Sequence, residues 1–172
     1  MIEAILLLFL LLNLISVIIY TFKIGISPMP SSQKSRMEIL KLLKNSSNDE
    51  IIDLGSGFGT LSIFLASKLQ EKHITAYELS FVPWAISVFL KKILNIKNLT
   101  IYRKNYLEEN LHNATLICYL FPKGMELLED KLFEECINTE IISNTFAFRN
   151  IKARDITYVN DLYKTPIYKY LT

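Results

Sequence analysis

The residues of this chain whose types and spacing carry chemistry are an aspartate, three alternating glycines and a distant glutamate. Asp53, Gly55, Gly57 and Gly59 stand together in "DLGSGFG", and Glu78 in "AYEL" follows 23 residues after Gly55. Glycines placed after a short apolar run and before a helix-compatible segment near Thr60 describe a strand-to-helix turn. There the backbone comes close to a ligand, and the helix start offers free amides. A carboxylate at the end of the next apolar run, where Glu78 lies, can accept two hydrogen bonds from ribose hydroxyls. A nicotinamide dinucleotide would want G-x-G-x-x-G, and Thr60 occupies the position that completes that pattern. Asp53 also repels a diphosphate, whereas it attracts the ammonium group of a methionine moiety, directly or through water. Taken alone, the glycines equally describe a tight turn that needs positive φ.

The elements that must position these residues alternate in type. The runs "EIIDLG", "ITAYEL", "LTIYRKN", "ATLICYLF" and "EIISNTFAF" read as strands. Helices are predicted near Thr60 to Gln70, Phe81 to Leu94 and Gly124 to Ile137, with Leu61, Phe64, Leu65, Leu69 and Ala85, Val88, Phe89, Ile93 as apolar stripes. Strand and helix in alternation imply an α/β, doubly wound, mostly parallel sheet. At the end, "DITYVNDL" and "PIYKYL" are separated only by "YKT", too short for a crossover, so they form an antiparallel hairpin. Ahead of the first strand, Ser31 or Ser32 caps a helix running to about Lys44, with Met37, Ile39, Leu40 and Leu43 on its apolar face.

Composition narrows the classes. The chain has 172 residues, 51% apolar and 21% charged, with a net charge of +2 from interspersed residues, so it forms one globular domain with at most one extra element. A basic run with interleaved aromatics, which a nucleic-acid surface needs, is absent. Cys118 and Cys136 lack metal-ligand spacing, and no metal is implied. Ala4 to Phe22 is uncharged and covers about 28 Å as a helix, enough to span a bilayer. Residues 1–22 therefore read as a transmembrane anchor and 23–172 as the catalytic domain. Lys23, Lys34, Arg36, Lys41 and Lys44 follow the span and no Lys or Arg precedes it, which places that domain on the cytoplasmic side of the membrane, as a single-pass protein.

"DLGSGFG", "AYELSFVPWAIS", "IYRKNYLEEN" and "LICYLFPKGM", preceded by "SPMPSSQKSRMEIL", occur in an order that resembles the seven-β-strand protein lysine methyltransferases. The particular relatives are those of the mitochondrial adenine nucleotide translocase and ATP synthase c-subunit enzymes. The resemblance runs from about Ser27 to Phe148 and implies a Rossmann-like class I methyltransferase fold with S-adenosylmethionine as cofactor. It implies that Asp53, Gly55 and Gly57 hold the methionine part and Glu78 the ribose. Asn105 stands where relatives have an adenine-binding aspartate, and Pro30, Ser31 and Ser32 resemble the segment covering the cofactor. Tyr119, Phe121 and Pro122 fall on the acceptor side. The expected reaction is direct displacement at a sulfonium methyl by a lysine amine of a protein substrate, itself membrane-associated or nearby. The protein's share is alignment and selection of the neutral amine. The rival readings are a small-molecule or lipid methyltransferase, and an anchored binding domain without catalysis.

Overall fold

The computed structural model of the protein describes Leu7 and residues 30–172. Leu7 apart, the anchor expected over residues 1–22 lies outside the described residues. Among the described residues no helix is long and apolar enough to cross a membrane.

The first element, α1 (Gln33–Lys44), starts at Ser32, whose Oγ accepts from the Ser35 amide at 3.1 Å. A short hydroxyl here satisfies one of the donors that a helix start leaves free. Ile39, Leu40 and Leu43 are buried as their spacing requires, whereas Met37 lies beyond the edge of that stripe and is exposed. The chain then runs β1 (Glu50–Leu54), α2 (Thr60–Lys68), β2 (His73–Tyr77), α3 (Phe81–Ile93), β3 (Leu99–Tyr102), β4 (Thr115–Cys118), α4 (Pro122–Glu134), β5 (Glu140–Asn144), β6 (Asp155–Tyr158) and β7 (Pro166–Leu171).

The seven strands form one sheet in the order β3-β2-β1-β4-β5-β7-β6. Strands β1 to β5 are parallel, and β7 pairs antiparallel with both β5 and β6. The expected closing hairpin is therefore present, with its second strand inserted next to β5. Both faces of the parallel strands are covered, which is why they read as unbroken apolar runs rather than as alternation. Ile52, Leu54, Leu116 and Ile141 point into one core with Leu128 and Leu132 of α4. Ile51, Ile117 and Ile142 point into the other, with residues of α1 and α2. Direction reverses at β1, which has β2 on one side and β4 on the other. That is the switch point where open parallel sheets take ligands.

Three expectations shift. Helix α4 begins at Pro122 rather than Gly124, because proline suits the first helical position, whose amide has no partner in any case. Strand β5 stops at Asn144 instead of running through "TFAF", since Thr145 takes φ 74°. In α3 the residues turned inward are Pro83 and Ser87, while Phe89 and Ile93 of the apolar stripe, which would ordinarily face a core, are 63% and 62% exposed. Close approach explains that reversal. A Cβ built on Gly59 would lie 2.8 Å from the Ser87 Cβ, so only small side chains fit where α3 meets the glycine turn.

Candidate active site

The turn between β1 and α2 is built by its glycines. Gly55, Gly57 and Gly59 have φ of 76°, 56° and 73°, a sequence of left-handed positions that side-chain-bearing residues adopt only at a cost. The amides of Gly55 and Ser56 both donate to the Tyr77 carbonyl, at 3.0 and 2.9 Å, which ties the turn to the end of β2. Glu78 leaves that strand and ties it again. Its Oε2 accepts from the Gly57 amide at 2.8 Å, and its Oε1 accepts from the Ser80 amide at 2.7 Å. The carboxylate thus braces the turn and the start of α3 together. Each of its oxygens keeps a lone pair for a ligand hydroxyl.

Asp53 shares its side of β1 with Ile51 and so faces α2, where the Ser62 hydroxyl donates to its Oδ2. The residue is only 3% exposed. Burial pushes its carboxyl up to about 6; the Ser62 bond opposes the rise and the nearby Glu78 charge adds to it. A buried carboxyl of this kind favours a cation beside it. Ser62 was not singled out in the sequence, where it reads as one small residue on a helix.

Across the switch point, Leu54 pairs with Cys118 and Cys118 with Ser143, so β1, β4 and β5 end side by side. The residues leaving β4 and β5 form an aromatic cluster. The Phe146 ring lies 6.2 Å from that of Tyr119 and 5.3 Å from that of Phe121. Phe146 is the residue that strand-like patterning concealed, because "EIISNTFAF" reads as a single run; the Asn-Thr pair within it is the available sign of a turn. At Thr145 the backbone makes a γ-turn, with the Phe146 amide donating to the Asn144 carbonyl at 2.9 Å. A β-branched residue at φ 74° is strained. Three bonds hold it: Thr145 N to the Pro166 carbonyl at 2.9 Å, Ser143 Oγ to the Phe146 carbonyl at 2.6 Å, and Thr145 Oγ1 to Asn144 Oδ1 at 3.5 Å. Further along the same loop, buried Glu129 of α4 accepts from the Asn150 and Ile151 amides at 2.7 and 2.9 Å.

The other expected site residues are placed as follows. Asn105 caps the short turn Tyr106–Glu108, its Oδ1 accepting from the Leu107 amide at 3.2 Å and its Nδ2 donating to Glu108 at 3.1 Å. Pro122 starts α4, and Ser32 is engaged at the start of α1. Pro30 is exposed. The Ser31 and Ser56 hydroxyls, one in the expected covering segment and one in the glycine turn, are buried and have no hydrogen-bond partner among the described residues. Arg36 joins those two regions by donating to the Thr60 carbonyl at 3.4 Å.

Comparison with known proteins adds the lineage of this arrangement. The model of the ANTKMT methyltransferase domain matches residues 53–155, more than half of the chain. The chain belongs to the ANTKMT methyltransferase family. The matched span begins at Asp53 and includes the glycine turn, Glu78, Asn105 and the aromatic cluster. Among curated relatives of this ANTKMT domain is a protein-lysine N-methyltransferase of Saccharolobus islandicus (strain REY15A), 25% identical over 137 residues, covering 77% of this chain and 84% of that protein. Two solved structures share the fold. An RNA methyltransferase from Salinibacter ruber in complex with S-adenosyl-L-homocysteine has a TM-score of 0.72 at 20% identity, over 83% of this chain and 93% of that one. Magnesium protoporphyrin IX methyltransferase from Synechocystis PCC 6803, with bound S-adenosylmethionine, has a TM-score of 0.64 at 12% identity, over 92% and 96%. Acceptors as different as RNA and a porphyrin on one scaffold mean that the fold alone does not name the acceptor.

Proposed function

We propose that the protein is an S-adenosylmethionine-dependent methyltransferase acting on lysine side chains of a protein substrate. The observation that carries this reading is one carboxylate, Glu78, bracing the glycine turn at 2.8 Å from Gly57 N, with a buried Asp53 on the same strand as the turn and an aromatic cluster at the neighbouring strand ends. The chemistry fits the cofactor's parts. Glu78 offers acceptors to ribose hydroxyls, the buried Asp53 carboxyl favours the methionine ammonium, and the Ser31 and Ser56 hydroxyls, without a partner among the described residues, lie in the segments expected to surround them. When bound, S-adenosylmethionine supplies a methyl carbon already activated by positive sulfur.

The remaining work falls to the chain. Tyr119, Phe121 and Phe146 offer a half-buried aromatic surface, which would favour the neutral form of a lysine amine lying against it over its ammonium. Tyr119 is the one member of the three with a hydroxyl to orient that amine. Relationship to a curated protein-lysine N-methyltransferase supports lysine over a small molecule or lipid as acceptor. Ala4 to Phe22 serves as the membrane anchor in this reading, with the domain facing the cytoplasm, supported by its uncharged composition and the basic residues after it.

Calorimetric titration with S-adenosylmethionine, S-adenosylhomocysteine and NADH tests the cofactor. The two sulfur compounds should bind, and Glu78→Ala should weaken them by about 3 kcal/mol, roughly 100-fold. NADH binding alone would sink the proposal. Radiolabel from S-adenosylmethionine should then appear on lysine in membrane proteins and disappear with the same variant.

A further inference from the structure

The outer face of α3 is apolar and open. Ile86, Phe89 and Ile93 recur at helical spacing and, with Leu94 just beyond, are 39%, 63%, 62% and 56% exposed. A stripe of this period ordinarily points into a core. Here Pro83 and Ser87 make the packed side instead. An apolar stripe left outside marks a surface that something covers.

The charge around it selects what. Between Glu78 and Glu108 the sequence holds no acidic residue and five basic ones. Lys91, Lys92, Lys97 and Arg103 make no ion pair among the described residues; only Lys104 of the five does, with Glu109 at 2.9 Å. Arg103 lies instead over the Phe81 ring, 5.4 Å from its centroid. A second copy of this face would bring like charges together, and a basic partner would be repelled. A polynucleotide would meet the cations but would leave Ile86, Ile93 and Leu94 without apolar contact. A bilayer surface bearing anionic headgroups satisfies both halves: aliphatic side chains sink below the headgroups while the lysines stay at their level.

We propose that α3 is an interfacial docking helix that lays the Phe89–Ile93 face on an anionic membrane surface. The inference does not depend on the reaction catalysed. It is also distinct from the anchor, since it concerns how the folded domain lies on the bilayer rather than what tethers it.

Trp84 is the chain's single tryptophan, so a reporter is easily moved. The full chain carrying Trp84→Phe and Phe89→Trp is reconstituted into vesicles of brominated phosphatidylcholine, with and without phosphatidylglycerol. With the anionic lipid, the indole emission should shift to the blue and be quenched. Removing the charge that flanks the stripe, in Lys92→Ala, should lower the ratio of docked to undocked domain about fivefold, whereas Lys91→Ala, on the far side of the helix, should change it little. Quenching that is equal in purely zwitterionic vesicles, or absent in both, overturns the proposal. Blue emission that no brominated lipid reaches overturns it too, since the face would then be covered by protein. A response to added RNA but not to vesicles reassigns the face to polynucleotide. Phe89→Glu with Ile93→Glu, made in the otherwise native chain, should leave thermal unfolding unchanged; a lowered melting temperature would mean that the face is packed within the protein.

Discussion

Burial holds the Asp53 carboxyl near 6 rather than its ordinary 3.8, so at neutral pH the folded protein carries an ionised group that it would be more stable without. A carboxyl with a raised folded-state pKa contributes stability that is fully present below the ordinary value and lost as pH climbs through the raised one. Asp53→Asn should therefore stabilise the ligand-free protein by on the order of 2 to 3 kcal/mol at pH 7, with the gain vanishing towards pH 4. Thermal unfolding across that range reads this directly. Cofactor affinity should move the opposite way. A cationic ligand favours the ionised carboxyl, so binding should weaken by about tenfold one pH unit below the apparent pKa and level off above it. The Asn variant should bind weakly at every pH. Asn105 calls for a different test. Its oxygen already caps a turn, and a second lone pair remains for the adenine amino group. Asn105→Ala, which removes that acceptor, should weaken cofactor binding about fivefold without altering turnover. Unchanged affinity would remove Asn105 from the site.

At the scale of elements, the turn after β5 stores strain that a plain connection would not. Thr145→Gly should relieve it and leave stability level or raised by about 1 kcal/mol, since glycine's entropy offsets part of the gain. If that turn exists to present Phe146, the same variant should raise the acceptor KM while cofactor affinity stays put. Phe146→Ala should do so more strongly, by about 1 to 2 kcal/mol. Loss of cofactor binding in Phe146→Ala would show that the cluster belongs to the cofactor instead. Such a turn is hard to read from a sequence. The alternation of strand and helix, the glycine turn, Glu78 and the closing hairpin were all legible, because each rests on spacing along one segment. Phe146 and Ser62 were not, because they become neighbours of the site only when β4 and β5, or β1 and α2, are brought together. The side that α3 turns inward was not legible either, for a related reason. Periodicity reports that a stripe exists but not which side the sheet takes, and here the close contact at Gly59 decided it.

For the whole molecule, the proposed anchor over residues 1–22 and the folded domain call for different tests. The proposed anchor is read from hydropathy, and its test is extraction: the full chain should stay with membranes in alkaline carbonate, and its C-terminal end should be reached by protease only from the cytoplasmic side. Release into the supernatant would remove the anchor. The domain itself has its two surfaces joined through one residue. Glu78 Oε2 accepts from the Gly57 amide of the glycine turn and its Oε1 from the amide of Ser80, which precedes α3, while Gly59 closely approaches the same helix at Ser87. Where two sites joined by such a contact are coupled, the coupling is reciprocal. On the docking proposal, any factor by which an anionic bilayer raises cofactor affinity is also the factor by which a saturating cofactor raises the hold of the domain on the bilayer, so a cofactor that tightened docking would let it loosen as the spent cofactor departs.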